Sequence, residues 1–177
     1  DSVDQVNTTA GFSIITYTSP NSSDDQTVAH GLSKAPELIL VKMRTGTYNW
    51  DIFHGSLGVG ATLIFTNAAT RDVDAFTTTA PTDAVFGLKD NFTHDASLTY
   101  VAYCFHSVDG YSKVGNYAGN ANADGTFVFT GFRPAWLIIK KTSATGNWTI
   151  LDSVRDPDNS DPHLFLYANL AAAEVSS

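Results

Sequence analysis

Apolar and polar positions along this chain fall into short runs, each closed by turn-forming residues. Phe12–Thr18 (FSIITYT), Gln26–His30, Ala84–Leu88 and Leu98–His106 are rich in β-branched and aromatic residues. Bounded by Gly, Pro, Asn, Asp or Ser, such runs predict strands. Glu37–Met43 (ELILVKM) and Ala135–Lys141 (AWLIIKK) are continuous apolar runs instead, each introduced by a proline and carrying lysine near its end. Their length fits strands covered on both faces, in the middle of a sheet. Asn49–His54, Thr62–Thr66 and Asn147–Asp152 complete the predicted set. Strands recurring every roughly 8–12 residues argue for sandwich or barrel architecture. Only Ala168–Val175 (ANLAAAEV) has the composition of a helix.

The pattern occurs twice. Gly11, Ser13, Tyr17, Asp24, Val28, Gly31, Pro36, Lys42, Thr47, Asn49, Trp50 and Ile52 align with Gly110, Ser112, Tyr117, Asp124, Val128, Gly131, Pro134, Lys140, Thr145, Asn147, Trp148 and Ile150. A repeat of about a hundred residues exceeds the roughly 20–50 of solenoid units. It has the length of a small β-domain. The chain is therefore expected to be all-β, a duplicated β-sandwich-like module of jelly-roll or Ig-like type. Residues 1–109 form the first repeat, with a short N-terminal lead-in, and 110–177 the second, or the two make one continuous domain. The second copy holds nothing like Tyr100–His106, the finishing strand of the first. It is expected to be incomplete, either cut from a longer polypeptide, the preferred reading, or completed by a strand from another subunit.

Composition narrows the partners. The chain has 177 residues, 12% aromatic and only 16% charged, with a net charge of −8. An acidic chain is repelled by phosphates, so nucleic acid and anionic membrane surfaces are unfavoured partners. No apolar run reaches the roughly 20 residues of a membrane span. Cys104 is the single cysteine. It lies in a run of strand formers, where a small buried hydrophobe is the simplest role.

Catalytic motifs are missing: no GxSxG, HExxH, P-loop or GxGxxG occurs. The five histidines, His30, His54, His94, His106 and His163, lack metal-ligand spacing and are expected at the surface or an interface. His30-Gly31-Leu32 is echoed by Thr130-Gly131-Phe132, so the motif predicts a turn with glycine at positive φ and not a shared ligand position. Asp156, Asp158 and Asp161 supply oxygen ligands of the kind that bind Ca²⁺, in a spacing that misses the EF-hand pattern; a solvated loop is the plainer reading, and Asp90–Asp95 reads the same way. No other cofactor is implied. Aromatic side chains stack on sugar faces, and Tyr48 and Trp136 are the ligand-binding candidates of that kind. Trp50 and Trp148, equivalent in the two copies, are expected in the core or between sheets. The sequons at Asn7, Asn21, Asn91 and Asn147 arise readily by chance in a Ser/Thr-rich chain.

The ordered run of motifs carries a resemblance. Gly11-Phe-Ser-Ile-Ile-Thr-Tyr-Thr18, Val28-Ala-His-Gly-Leu32, Ala35-Pro-Glu-Leu-Ile-Leu-Val-Lys42, Tyr48-Asn-Trp50, Tyr100 to Gly115 and Ala123 to Lys141 together resemble a repeat module of tailed-phage virion proteins, marine phages especially. The resemblance covers Gly11 to Ala172. It implies a non-enzymatic structural protein of the virion, tail-fibre-like, for assembly and host-surface adhesion. Its implied partners are other virion proteins and a host glycan or receptor, and homotrimerisation is an analogy with phage fibres. A lectin-like carbohydrate-binding module and a capsid decoration protein are the alternatives. The family attaches no catalytic residues, and its module runs past the position of Ser177. The Asp/Pro-rich Arg155–Pro162 loop departs from its usual sequence.

Overall fold

The computed structural model describes residues 3–19, 24–70, 75–89, 97–157 and 163–176. These residues form twelve strands and one turn of 3-10 helix. The strands are β1 (Val3–Asn7), β2 (Phe12–Thr18), β3 (Gln26–Ala29), β4 (Leu38–Met43), β5 (Asp51–His54) and β6 (Leu63–Ile64), then β7 (Val85–Leu88), β8 (Thr99–Phe105), β9 (Trp136–Lys140), β10 (Trp148–Asp152), β11 (Leu164–Tyr167) and β12 (Val175–Ser176). All pairing is antiparallel. A six-stranded sheet runs β1-β2-β8-β4-β5-β6, a four-stranded sheet β12-β11-β10-β9, and β3 pairs with β7 in a separate ribbon. The fold is all-β and sandwich-like, as the sequence pattern predicts.

The main core follows from alternation. Burial along β2, β4 and β8 changes with every residue, because successive side chains leave a strand on opposite faces. One face of the large sheet supplies Ile15, Tyr17, Ile39, Val41, Phe53, Tyr100, Ala102 and Cys104. The β3–β7 ribbon lies over them with Val28, Phe86 and Leu88, and Ala75 and Phe76 close the gap. Complete burial of side chains of this size stabilises by about 1.5–3 kcal/mol each. Cys104 is fully buried in this layer, in the role of a small hydrophobe.

The other face of the large sheet meets the second repeat. Ile52, Leu63 and Trp148 form a second buried cluster, joined by Leu38, Leu40, Trp50, Leu57, Phe65 and Ile138. Phe65 sits between the two equivalent tryptophans. Its ring centroid is 5.9 Å from Trp50 and 5.0 Å from Trp148, both edge-on. The Trp148 indole N–H donates to the Ile64 carbonyl at 2.9 Å. Nearby, the Gly146 N–H donates to the Asn67 carbonyl at 2.8 Å. Both tryptophans thus occupy the inter-sheet position expected of them.

The lead-in to the first repeat forms β1, which pairs with β2 from Val3↔Thr16 to Asn7↔Phe12. Two sequence expectations are corrected. Ala168–Val175 is not helical: the chain turns after Tyr167 and returns as β12, pairing Phe165 with Val175. Tertiary contacts override the weak local propensity there, since Arg155 binds Glu174 and Asn169 Oδ1 accepts the Trp148 N–H. Finally, Ala135–Lys141 is not a central strand. It yields β9, the last strand of its sheet, with Trp136 and Leu137 exposed. The physical reason is a missing neighbour.

Candidate functional site

Superposing the repeats in sequence shows how closely the second copies the first, and where it stops. The pairs Leu38↔His54, Ile39↔Phe53, Leu40↔Ile52 and Val41↔Asp51 join β4 to β5. Their repeat counterparts, Trp136↔Asp152, Leu137↔Leu151, Ile138↔Ile150 and Ile139↔Thr149, join β9 to β10. The next hairpin also keeps register: Asp51↔Ile64 and Ile52↔Leu63 become Thr149↔Tyr167 and Ile150↔Leu166. In both copies the shared lysine reaches the turn that follows: Lys42 Nζ donates to the Met43 carbonyl at the end of β4 at 2.9 Å and to the Gly46 carbonyl at 3.5 Å, Lys140 Nζ to that of Gly146 at 2.7 Å. Burial, and secondarily the charge of Lys141, lowers the pKa of Lys140.

The copies diverge beyond this hairpin. Tyr17, Val28 and Ile39 are at most 9% exposed, whereas their counterparts Tyr117, Val128 and Leu137 are 51%, 45% and 40% exposed. Phe127, Phe129, Trp136 and Tyr111 are exposed with them. Residues 113–130 run without strand pairing. The second repeat therefore exposes large aromatic and aliphatic side chains, several of whose counterparts in the first repeat are covered. Exposed apolar surface beyond scattered single residues marks interaction sites on folded proteins.

The sequence-predicted site residues are dispersed. Tyr48 is exposed in the turn between β4 and β5, and Trp136 is exposed at the start of β9, so the two belong to different sheets. Asp156 accepts from His163 Nδ1 at 3.0 Å, with its carboxylate mostly buried. Asp158 and Asp161 lie outside the described residues, as do His94 and Asp90–Asp95. Among the described residues no group of three His, Cys, Asp or Glu side chains is placed to hold a metal ion. The turn after β10 is held by Arg155, which donates from Nη1 to Asp152 at 2.8 Å. The Arg155 backbone N–H, foremost, holds the Asp152 carboxyl below its usual range, with the Val154 N–H and the guanidinium acting in the same direction.

Two histidines expected at the surface or an interface are buried inside the chain, His30 and His106. His30 Nε2 lies 3.1 Å from the Thr82 carbonyl, and His30 Nδ1 accepts the Leu32 N–H at 3.1 Å. That network assigns a neutral ring protonated on Nε2. It pins the turn at Gly31, whose φ is +68°, so the HGL motif is turn architecture in which the histidine also takes part. His106 Nδ1 lies 2.9 Å from the Ser107 carbonyl, while His106 Nε2 and Ser13 Oγ are buried without hydrogen-bond partners. Ser13 and His106 are therefore not joined as a nucleophile and its base. Sequence reasoning missed this polar end of the core. The only sign available was that His106 shares a strand face with Cys104.

Burial is the largest influence on His30 and lowers its pKa, against the Thr82 carbonyl and Asp83, which raise it. The folded-state value lies below the unfolded one of about 6.5. Its contribution to stability is whole above that value and is lost as pH falls through the folded pKa. Burial lowers His54 in the same direction, opposed by Glu37. Urea midpoints measured from about pH 7.5 down to about pH 5 should fall, and His30→Gln, which retains an acceptor, should flatten that fall. An unchanged slope in the variant would remove His30 as the titrating group.

Fold and surface define a class: an internally duplicated, antiparallel β module whose second copy exposes apolar surface. The chain belongs to the family described as a domain of unknown function, DUF7483, whose model matches residues 1–177. The family unit thus takes in both repeats. No curated protein and no solved structure matches the chain.

Proposed function

We propose that this chain is a non-enzymatic structural module of a tailed-phage virion, part of a tail fibre or similar appendage, serving assembly and host-surface adhesion. The observation that carries the assembly part is the apolar surface of the second repeat, with Tyr117, Val128 and Leu137 turned to solvent where Tyr17, Val28 and Ile39 are covered. A surface of this kind on a well-packed β scaffold favours association with other proteins. The net charge of −8 fits partners other than nucleic acid. The virion assignment rests on the ordered motifs from Gly11 to Ala172. Other virion proteins and a host glycan or receptor are the partners it brings, with a trimer by analogy.

Antibodies raised against this chain, applied with gold label to purified phage particles, test the assignment. Label on a projecting appendage is the expected result. Label on the capsid shell would move the chain to a decoration role, and particles free of label would overturn the virion reading. A carbohydrate-binding function is the second reading, favoured by the exposure of Tyr48 and Trp136. Truncating an aromatic ring that anchors a ligand costs more than about 1 kcal/mol where that ring carries the binding. Tyr48→Ala should then weaken glycan binding by about tenfold or more, and no binding across a broad glycan array would dismiss it.

A further inference from the structure

We infer that the end of the main core where the His30-Gly31-Leu32 turn meets β2 and β8 is an acid-released latch, which takes up protons on two buried imidazoles and opens locally. The inference stands on hydrogen-bond geometry and is independent of the virion reading. One imidazole comes from each layer. His30 follows β3 of the ribbon and His106 follows β8 of the large sheet, and both are at most 4% exposed. The turn is seated on the sheet at this end: a Cβ on Gly31 would lie 2.8 Å from Val6 Cγ2. Val6 pairs with Ser13, and Ser13 with Cys104. The His106 ring lies against Gly11, where a Cβ would be 2.8 Å from His106 Cε1.

Both rings are held neutral by what surrounds them. A main-chain carbonyl only accepts, so the protons sit on His30 Nε2, facing Thr82, and on His106 Nδ1, facing Ser107. A second proton must go to the other nitrogen of each ring. On His30 that is Nδ1, which already accepts the Leu32 N–H at 3.1 Å. A proton there sets two N–H donors against each other. On His106 it is Nε2, buried without a hydrogen-bond partner, so protonation creates a buried charge with no acceptor, a costly arrangement. Burial, foremost, and His106 with it disfavour the charged form of His30, against the Thr82 carbonyl and Asp83. Asp83, in the turn before β7, and Glu37, which accepts the Ser107 N–H, are the acids facing this end among the described residues. Relief requires the turn to leave the sheet, and Leu32, buried in the main core, to leave with it.

Cys104, the single cysteine, reports the opening, because it is fully buried beside Ser13 at this end. Its labelling by a dipyridyl disulfide, which reacts in mild acid, is followed in the whole chain at about pH 7.5 and about pH 5, a window above the usual carboxylate range of about 4. Rates are divided by those of the urea-unfolded chain at the same pH, which removes the thiol's own titration. One imidazole that titrates only in the open state raises the opening equilibrium by up to about thirtyfold across this window. The normalised rate is expected to rise by about tenfold or more. Hydrogen exchange, corrected for its intrinsic pH dependence, should quicken in residues 26–32 and 85–88 and far less in β9 and β10. His30→Gln should cut the acid response to about a third or less, and His30→Gln with His106→Gln should abolish it. His54→Gln, at the end of β5, should leave it unchanged. The proposal is overturned if the wild-type chain shows no acid response, or if β9 and β10 quicken equally, which is global unfolding. It is also overturned if the response survives in the double variant or vanishes in His54→Gln. Should the double variant fail to fold, the wild-type and His54→Gln measurements decide alone.

Discussion

Trp148→Ala is expected to destabilise the protein by about 3–5 kcal/mol, the usual cost of truncating a buried aromatic residue to alanine. Among the described residues of the second repeat, Trp148 alone is buried, beside Ile52 and Leu63 of the first. Truncation removes the edge contact with Phe65 at 5.0 Å and the indole hydrogen bond to the Ile64 carbonyl, which keeps the Thr66 N–H at 2.7 Å. The repeat supplies its own control. Trp50 holds the equivalent position and also contacts Phe65, at 5.9 Å, but it remains half-buried. Trp50→Ala should therefore cost less, about 1–3 kcal/mol. Urea unfolding followed by circular dichroism, which does not depend on tryptophan, reads both variants. Equal losses, or a Trp148→Ala loss within about 1 kcal/mol of zero, would show that the repeats are not held together by this cluster.

Much of the fold was legible because strand formation here is written in local pattern. Phe12–Thr18 is rich in β-branched and aromatic residues, lies between turn-forming residues and forms a strand with those bounds. Glu37–Met43 reads as a central strand and is one, because β8 and β5 flank it and both faces are covered. Ala135–Lys141 carries the same signal and fails at the same test. A run of side chains records the faces a strand expects to bury, while edge coverage depends on another segment being present. The helical reading of Ala168–Val175 failed for a related reason: Glu174 and Val175 are fixed by Arg155 and Phe165, distant in sequence.

The candidate surface was half legible. Tyr48 and Trp136 are the sugar-stacking candidates of the sequence, and both are exposed, Trp136 against the expectation that its strand is covered on both faces. The wider apolar surface was not anticipated, because Tyr117 and Val128 match Tyr17 and Val28 in kind, and identity of residue gives no measure of burial. The comparison of repeats reveals it only when one copy is seen closed and the other open. His30 was misjudged in the opposite sense. A polar residue before a turn glycine is ordinarily exposed, but this ring has two backbone partners of its own, at Thr82 and Leu32, and hydrogen bonding of that kind is what permits burial.

Gly11→Ala and Gly110→Ala form the second decisive comparison, since the two glycines are repeat equivalents with nearly the same backbone. Their φ angles are +64° and +74°, and an L-residue held in that left-handed region costs about 1–2 kcal/mol. Both variants should show that loss. Only Gly11 is crowded: a Cβ there would lie 2.7 Å from the His106 carbonyl oxygen and 2.8 Å from both His106 Cε1 and Val108 Cγ2, whereas nothing lies within 4 Å at Gly110. The His106 carbonyl belongs to the main chain, just past the end of β8, and the Gly11 carbonyl in turn accepts the His106 N–H at 2.9 Å. Relief of the clash therefore requires β2 and β8 to separate at the end where Phe12 pairs with Phe105. Overpacking of this kind adds about 1–3 kcal/mol, so Gly11→Ala should cost about 2–5 kcal/mol in all and Gly110→Ala no more than about 2. Thermal or urea melts give both values. Equal costs would mean that the approach of β2 to β8 at Gly11 is loose, and with it the claim that β8 organises the first repeat would lose its closest contact.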